Sequence, residues 1–221
     1  MKYRDRESAM LELRTGGTVE FEEKTLVLAS GSLTRERIMK QNKIRHVIIP
    51  SLADEDSAKQ EFGVADSLEK AEKYVQRLSY EKAIWLKARL QNAVILAADT
   101  VAFYQNEILE KPKDEADARR IFNFLSETTH HAITGVCIVD GEKIKNFSVN
   151  SPIKMLKITE EEQDVLVKNP MTYRYAGGYC IDDNFAGKTI VENKDDFNYI
   201  MGLPLKEILE YLKEEGYDFS E

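Results

Sequence analysis

The sequence predicts an α/β fold, a mixed and partly antiparallel sheet flanked by helices. Three observations predict it. Short apolar runs of strand length, of which Ala93-Val94-Ile95-Leu96-Ala97-Ala98-Asp99-Thr100-Val101-Ala102-Phe103 is the most apolar, alternate with segments whose apolar residues recur every three or four positions. Asp140-Gly141 separates two long strand-like segments, a hairpin signal that makes part of the sheet antiparallel. The length of 221 residues suits one large domain, or two lobes around a cleft, with ample core.

In chain order, residues 1–24 read as a polar extension with a short helix and a Gly16-Gly17 turn, and residues 25–214 as the compact domain. Thr25 to Ser30 is a short buried strand, leading through Gly31-Ser32 into an amphipathic helix with Ile38 and Met39. His46 to Pro50 is a second strand, followed by the acidic loop Ser51 to Asp56. Asp66 and Glu69 resemble a capping box opening a long helix. Its apolar stripe runs Ala71, Val75, Leu78, then Trp85 or Leu86, and Lys82 falls on that stripe. A lysine there either snorkels at the core's edge or points into a cleft.

The Ala93–Phe103 strand is followed by a Gln105-Asn106 turn and Glu107-Ile108-Leu109-Glu110-Lys111, which sets Asp99 and Lys111 across a short ribbon. A shorter helix after Asp114 carries Ala118, Ile121, Phe122 and Leu125 on one face. His130 to Asp140 and Glu142 to Ile158 are long strands. Thr159 and Glu162 cap a helix that ends before Asn169-Pro170. Ala176 to Asp183 is glycine-rich and strand-like, and a last helix from Pro204 carries Leu205, Ile208, Leu209 and Leu212. Residues 215–221 form a tail.

Composition narrows the function classes. The chain is 43% hydrophobic and 32% charged, ordinary for soluble globular material, and no apolar stretch is long enough to span a membrane. A formal charge of −8 argues against general nucleic-acid binding, although a few basic residues converging with a metal still hold phosphate. Cys137 and Cys180 are too few for a disulfide scaffold and read as buried thiols in a reducing compartment, so the expected location is cytoplasmic.

A carboxylate in the middle of an apolar strand is costly unless a cation, a metal or several donors meet it, which makes Asp99 either a structural acceptor or a functional group. Ser30, Ser32 and Arg35 occupy a strand-to-helix turn of the kind that favours phosphate. Glu55 and Asp99 offer hard oxygen ligands for Mg²⁺ or Mn²⁺, and Lys82 and Lys111 would neutralise phosphate charge. The set suits metal-assisted attack of water on a phosphoanhydride. The GxxxxGK[ST] loop is absent, and His46, His130, His131 and the cysteines lack zinc-site spacing. A Ser30–His130–Asp99 triad lacks the G-x-S-x-G elbow.

Several short motifs then agree in order and spacing. Leu28-Ala29-Ser30-Gly31-Ser32, Pro50-Ser51 with Asp54-Glu55, Glu81-Lys82-Ala83, Ala98-Asp99-Thr100, Leu109-Glu110-Lys111-Pro112, Thr134-Gly135-Val136, Tyr175-Ala176-Gly177 and Met201-Gly202-Leu203-Pro204-Leu205 resemble the Maf family, the septum-formation-inhibitor-like nucleotide pyrophosphatases. The resemblance covers roughly Leu26 to Leu212. It implies a fold like that of inosine-triphosphate pyrophosphatases, usually a homodimer, with the site in a cleft between lobes. It also implies a house-cleaning enzyme that converts a nucleoside triphosphate to the monophosphate and pyrophosphate with Mg²⁺, Mn²⁺ or Co²⁺. By position, the resemblance implies that Asp99 is the base or water-positioning carboxylate and Glu55 its metal partner. It implies further that Lys82 and Lys111 hold the triphosphate, that Ser30 and Arg35 line its cradle, and that Thr100 supports the site.

Two departures bear on base preference. Leu33 and Thr34 stand where the family usually has proline and a first arginine, and Asp182 stands where it usually has glutamine. Thr34 cannot reproduce a planar guanidinium contact, and an ionised Asp182 accepts hydrogen bonds without donating. Asp99-Thr100 is like the dTTP/UTP branch, whereas Asp182 is closer to the branch acting on 7-methyl-GTP. The same departures motivate a second reading, a nucleotide-binding regulator of cell division that is catalytically weak. Local alternatives stay open as well: Ser32 as a helix cap, and Asp54 or Asp56 as the ligand in place of Glu55.

Overall fold

A computed structural model of the chain describes residues 1–180, 190–192 and 201–221. The elements run helix α1 (Arg6–Arg14), strand β1 (Val19–Leu28), α2 (Leu33–Gln41), β2 (Val47–Ile48), α3 (Glu55–Phe62), α4 (Leu68–Lys87), β3 (Leu90–Tyr104) and β4 (Glu107–Leu109). They continue with α5 (Glu115–Leu125), β5 (Thr129–Asp140), β6 (Lys143–Met155), α6 (Glu160–Leu166), two 3₁₀ turns (Pro170–Arg174 and Ala176–Gly178), β7 (Ile190–Glu192) and α7 (Leu205–Glu214). Among the described residues the strands form one seven-stranded sheet in the order β2-β1-β3-β5-β6-β7, with β4 paired to the far end of β3. β1 pairs in parallel with β2 and β3, and the remaining pairs are antiparallel. The mixed α/β architecture expected from the sequence is the one found.

β3 is the centre of the sheet and outruns its first neighbour. β1 pairs with it as far as Leu96, and β4 takes up the same edge only from Ala102. Among the described residues, Ala97 to Val101 have no strand beside them on that edge, while the other edge pairs with β5 throughout. The gap lies at the carboxyl ends of the parallel strands β1 and β2, where loops in α/β sheets converge and ligands are received.

Alternation along β3 sorts its side chains between two faces. Leu96, Ala98 and Ala102 pack in the cluster shared with α2, α5 and α7. Ala93, Ile95 and Ala97 pack with Ala83 and Leu86 of α4, and Val101 and Phe103 pack with Ala71, Val75 and Leu78 of the same helix. Asp99 interrupts the second row, between the two clusters under α4. The helix comes unusually close to the sheet: a Cβ added at Gly135, the β5 partner of Asp99, would lie 2.3 Å from the Val75 carbonyl carbon. Only glycine permits that approach.

The N-terminal residues differ from the polar extension expected of them. Residues 19–24 are the first half of β1, paired at Val19 and Glu20 with Leu90 and Gln91, and Ala9, Leu13, Val19 and Phe21 are buried in the cluster under α4. The tail also docks, through an isolated bridge between Ile44 and Ser220 and a bond from the Arg45 amide to the Phe219 carbonyl at 2.7 Å. α4 is capped by Ser67, whose hydroxyl accepts from the Lys70 amide, while Asp66 forms an ion pair with Lys70. The Thr159–Glu162 capping box is present. Ala176 to Gly178 is a 3₁₀ turn rather than a strand, because Gly177 and Gly178 adopt φ of +70° and +74°. Asp182 lies outside the described residues.

Candidate active site

A cleft of about 840 Å³ opens over the gap in the sheet, lined by β3 residues, the β1–α2 turn, α3, α4, the loop after β4, and the 3₁₀ turns. Because β3 is open on one edge here, residues from both of its faces reach the same space.

On the α4 face, the Lys82 Nζ donates to Asp99 Oδ1 at 2.5 Å and lies 3.0 Å from Glu55 Oε2. Lys82 therefore points into the cleft, not out to solvent. Only 12% of its side chain and 16% of that of Asp99 remain exposed. Burial would lower the Lys82 pKa, but the charges of Asp99 and Glu55 outweigh it and hold the ammonium above its ordinary value. Glu55 is the first residue of α3, whose N-cap is Asp54; the Asp54 carboxylate accepts from the Ser57 amide and hydroxyl, so it is committed to the helix end.

On the other face, Arg35 works as an internal clamp. Its Nε donates to the Gly202 carbonyl at 2.8 Å, Nη1 to the Ala98 carbonyl at 2.9 Å and to Ser30 Oγ at 3.3 Å, and Nη2 to Thr100 Oγ1 at 2.9 Å. Burial lowers its pKa, opposed by the nearby charges of Asp99 and Glu55. Thr100 Oγ1 also meets Thr134 Oγ1 at 2.9 Å on β5. Gly202 has φ of +83°, and a Cβ there would fall 2.7 Å from Thr100 Oγ1, so the loop can press its carbonyl onto Arg35 only with glycine in place. Ser30 Oγ accepts from the Ser32 amide, and Ser32 Oγ caps α2 by accepting from the Arg35 amide at 3.4 Å.

Of the residues picked from sequence, Asp99, Lys82 and Glu55 form one contact group, and Ser30, Arg35 and Thr100 another. Ser32 is a cap. Lys111 lines the cleft and is exposed, but the ammonium beside Asp99 is that of Lys82, because Lys111 lies beyond the last β3–β4 pair. Sequence reasoning passed over Lys59 and Glu110, an ion pair in the cleft wall, over Tyr74, which donates to Glu110 Oε1 at 2.6 Å, and over Arg174. It also missed Tyr175, whose hydroxyl accepts from Thr34 Oγ1 at 3.2 Å. The four-residue spacing of Glu55 and Lys59 was the one available signal.

The histidines serve the strands. His46 Nδ1 lies 2.6 Å from the Ile44 carbonyl, and His131 Nδ1 lies 2.8 Å from Asn150 Oδ1. His130 Nε2 meets Tyr179 OH at 2.6 Å, and burial pushes its pKa down to about 4. Cys137 and Cys180 are buried thiols outside any disulfide among the described residues, and burial pushes the Cys137 thiol up to about 12, which leaves it unreactive.

An open-edged α/β sheet with a partly buried carboxylate–lysine–carboxylate group beside a strand-to-helix turn defines a cleft built for a small charged ligand. The chain belongs to the Maf-like protein family, whose model matches residues 25–215. Among its relatives is a protein of Acholeplasma laidlawii named dTTP/UTP pyrophosphatase, 37% identical over 191 residues, covering 86% of this chain and 95% of that one. Proteins of the same name from Agathobacter rectalis and Halalkalibacterium halodurans are 33% and 28% identical, over 87% and 88% of this chain and 98% and 97% of their own.

Proposed function

We propose that the chain is a nucleoside triphosphate pyrophosphatase that hydrolyses dTTP and UTP, or a modified nucleotide, to the monophosphate and pyrophosphate. The observation that carries the reading is the Asp99–Lys82–Glu55 group facing a cleft of nucleotide size. The names of the relatives support the same activity.

In this reading Asp99 accepts a proton from the attacking water. The water oxygen forms a bond to phosphorus, the phosphoanhydride bond breaks, and pyrophosphate leaves. Lys82 donates to Asp99 and keeps it aimed. Arg35 acts at one remove, holding Thr100, Ala98 and the Gly202 loop in register beneath the substrate. Lys111 meets phosphate from the opposite wall.

The donor set fits a divalent cation. The ammonium of Lys82 already lies between the two carboxylates, and Mg²⁺ needs no more than one or two carboxylates when waters and phosphates complete its shell. Among the described residues no third acidic, histidine or cysteine ligand joins them. Asp99 and Glu55 would hold the ion, which supplies neutralisation of the charge that develops on the phosphates.

The test is pyrophosphate release from dTTP, UTP, 7-methyl-GTP and other triphosphates with Mg²⁺, Mn²⁺ or Co²⁺, beside Asp99→Asn. Turnover lost in the variant, with the fold kept, supports the reading. Full activity in Asp99→Asn removes Asp99 from its role, and binding without turnover in the unmodified chain favours the regulator reading. The same proposal includes a homodimer in the cytoplasm, checked by sedimentation and by fractionation of cells. Among the described residues, no helix is long and apolar enough to cross a membrane.

A further inference from the structure

The cations of the cleft differ in what already holds them. Among the described residues, Arg35, Lys59, Lys82, Lys111 and Arg174 line it. Arg35 spends its donors on Gly202, Ala98, Ser30 and Thr100, and Lys82 lies between Asp99 and Glu55. Neither is placed to neutralise an incoming chain of phosphates by itself. A protein of net charge −8 needs local cations to receive a polyphosphate, so the remaining ones matter.

Lys59 is the best placed. It sits four residues after Glu55 on α3, hence on the same helical face, and Glu55 meets Lys82 inside the cleft. Its Nζ lies 2.8 Å from Glu110 Oε1 and 2.9 Å from Oε2. Glu110 is itself fixed: Oε1 accepts from Tyr74 OH on α4, and its main-chain carbonyl accepts from the Gly177 amide at 3.1 Å. The residue after Glu110 is Lys111. One anchored carboxylate thus steadies an ammonium from α3 next to the segment that brings a second ammonium from the loop after β4. The Lys59 side chain is 30% exposed and that of Glu110 43%, so the pair contributes little to stability and the ammonium remains open to the cleft. An ammonium has three donors, more than one carboxylate consumes.

We propose that Lys59 is a substrate-binding residue, contacting the phosphates of the nucleotide together with Lys111, with Glu110 as the positioning residue that holds it ready. This rests on the pyrophosphatase reading above.

The experiment compares the unmodified chain, Lys59→Gln, Lys59→Arg and the surface control Lys70→Gln. It reads KM and kcat for UTP, and separately the binding of inorganic pyrophosphate by titration calorimetry. Lys59→Gln is expected to raise KM roughly tenfold with kcat within about threefold, and to weaken pyrophosphate binding by a similar factor. Lys59→Arg is expected to restore most of both, and Lys70→Gln to change neither. An unchanged KM and unchanged pyrophosphate binding in Lys59→Gln overturns the proposal. So does a loss confined to kcat, which would place Lys59 in the seating of α3. If the unmodified chain hydrolyses no triphosphate, the functional reading fails, and the calorimetric comparison still decides whether Lys59 binds phosphate.

Discussion

Lys82 and Asp99 meet at 2.5 Å although one stands on a helix and the other on the strand beneath it. Each explains the other's presence in an apolar interface, and neither is tolerable there alone. Lys82→Met is expected to cost about 3 kcal/mol at pH 7, because it strands the Asp99 carboxylate facing Glu55. Denaturant unfolding of the two proteins at pH 7 checks it, and an unchanged stability would contradict the pairing.

Gly135→Ala should act through α4. The added methyl would overlap the Val75 carbonyl, so the helix has to lift from the sheet, carrying Lys82 away from Asp99. A loss of about 2–3 kcal/mol in stability is expected, together with a fall in kcat of roughly a hundredfold from the displaced lysine. Thermal unfolding and steady-state kinetics on one preparation separate the two effects.

His130 should make the fold acid-sensitive. Its folded pKa of about 4 lies below the ordinary value of 6.5, so the unfolded chain binds the proton first as pH falls. The contribution is intact above pH 6.5 and is lost between there and pH 4, about 3 kcal/mol in all. Among the described residues the buried Nδ1 has no hydrogen-bond partner to offset a charge. His130→Gln should flatten that part of the stability–pH curve, measured by urea midpoints from pH 7 to pH 4.

Removal of residues 1–17 should be felt although the segment is polar in composition. It takes away Ala9 and Leu13, both buried. The expected cost is about 3 kcal/mol from lost apolar burial, read as a lower melting temperature. An unchanged melting temperature would show that α1 contributes nothing to the domain.

The chemistry was legible where a residue stood out against its local pattern. Asp99 broke an apolar strand and Lys82 broke an apolar helical stripe, and their contact follows from both anomalies sharing one interface. The N-terminus misled because α1 buries only Ala9 and Leu13 among its charges. Yet Val19-Glu20-Phe21-Glu22 alternates with strand period, a signal overshadowed by the more apolar run from Thr25. Thr34 with Tyr175 and Lys59 with Glu110 are 141 and 51 residues apart, and no local spacing announces such pairs. The turn at Gly177 and Gly178 was hidden for another reason: alternating apolar residues around glycines suit a strand as well as a coil.

The open edge of β3 makes part of the cleft out of peptide groups instead of side chains. The Ala98 carbonyl is already claimed by Arg35, and the neighbouring main-chain positions up to Val101 border the same gap. Amino-acid replacement cannot delete a peptide bond. Affinity for a ligand lodged there should therefore decline by degrees as wall residues are exchanged one by one, and related chains could retune what they accept by varying the walls over an unchanging floor.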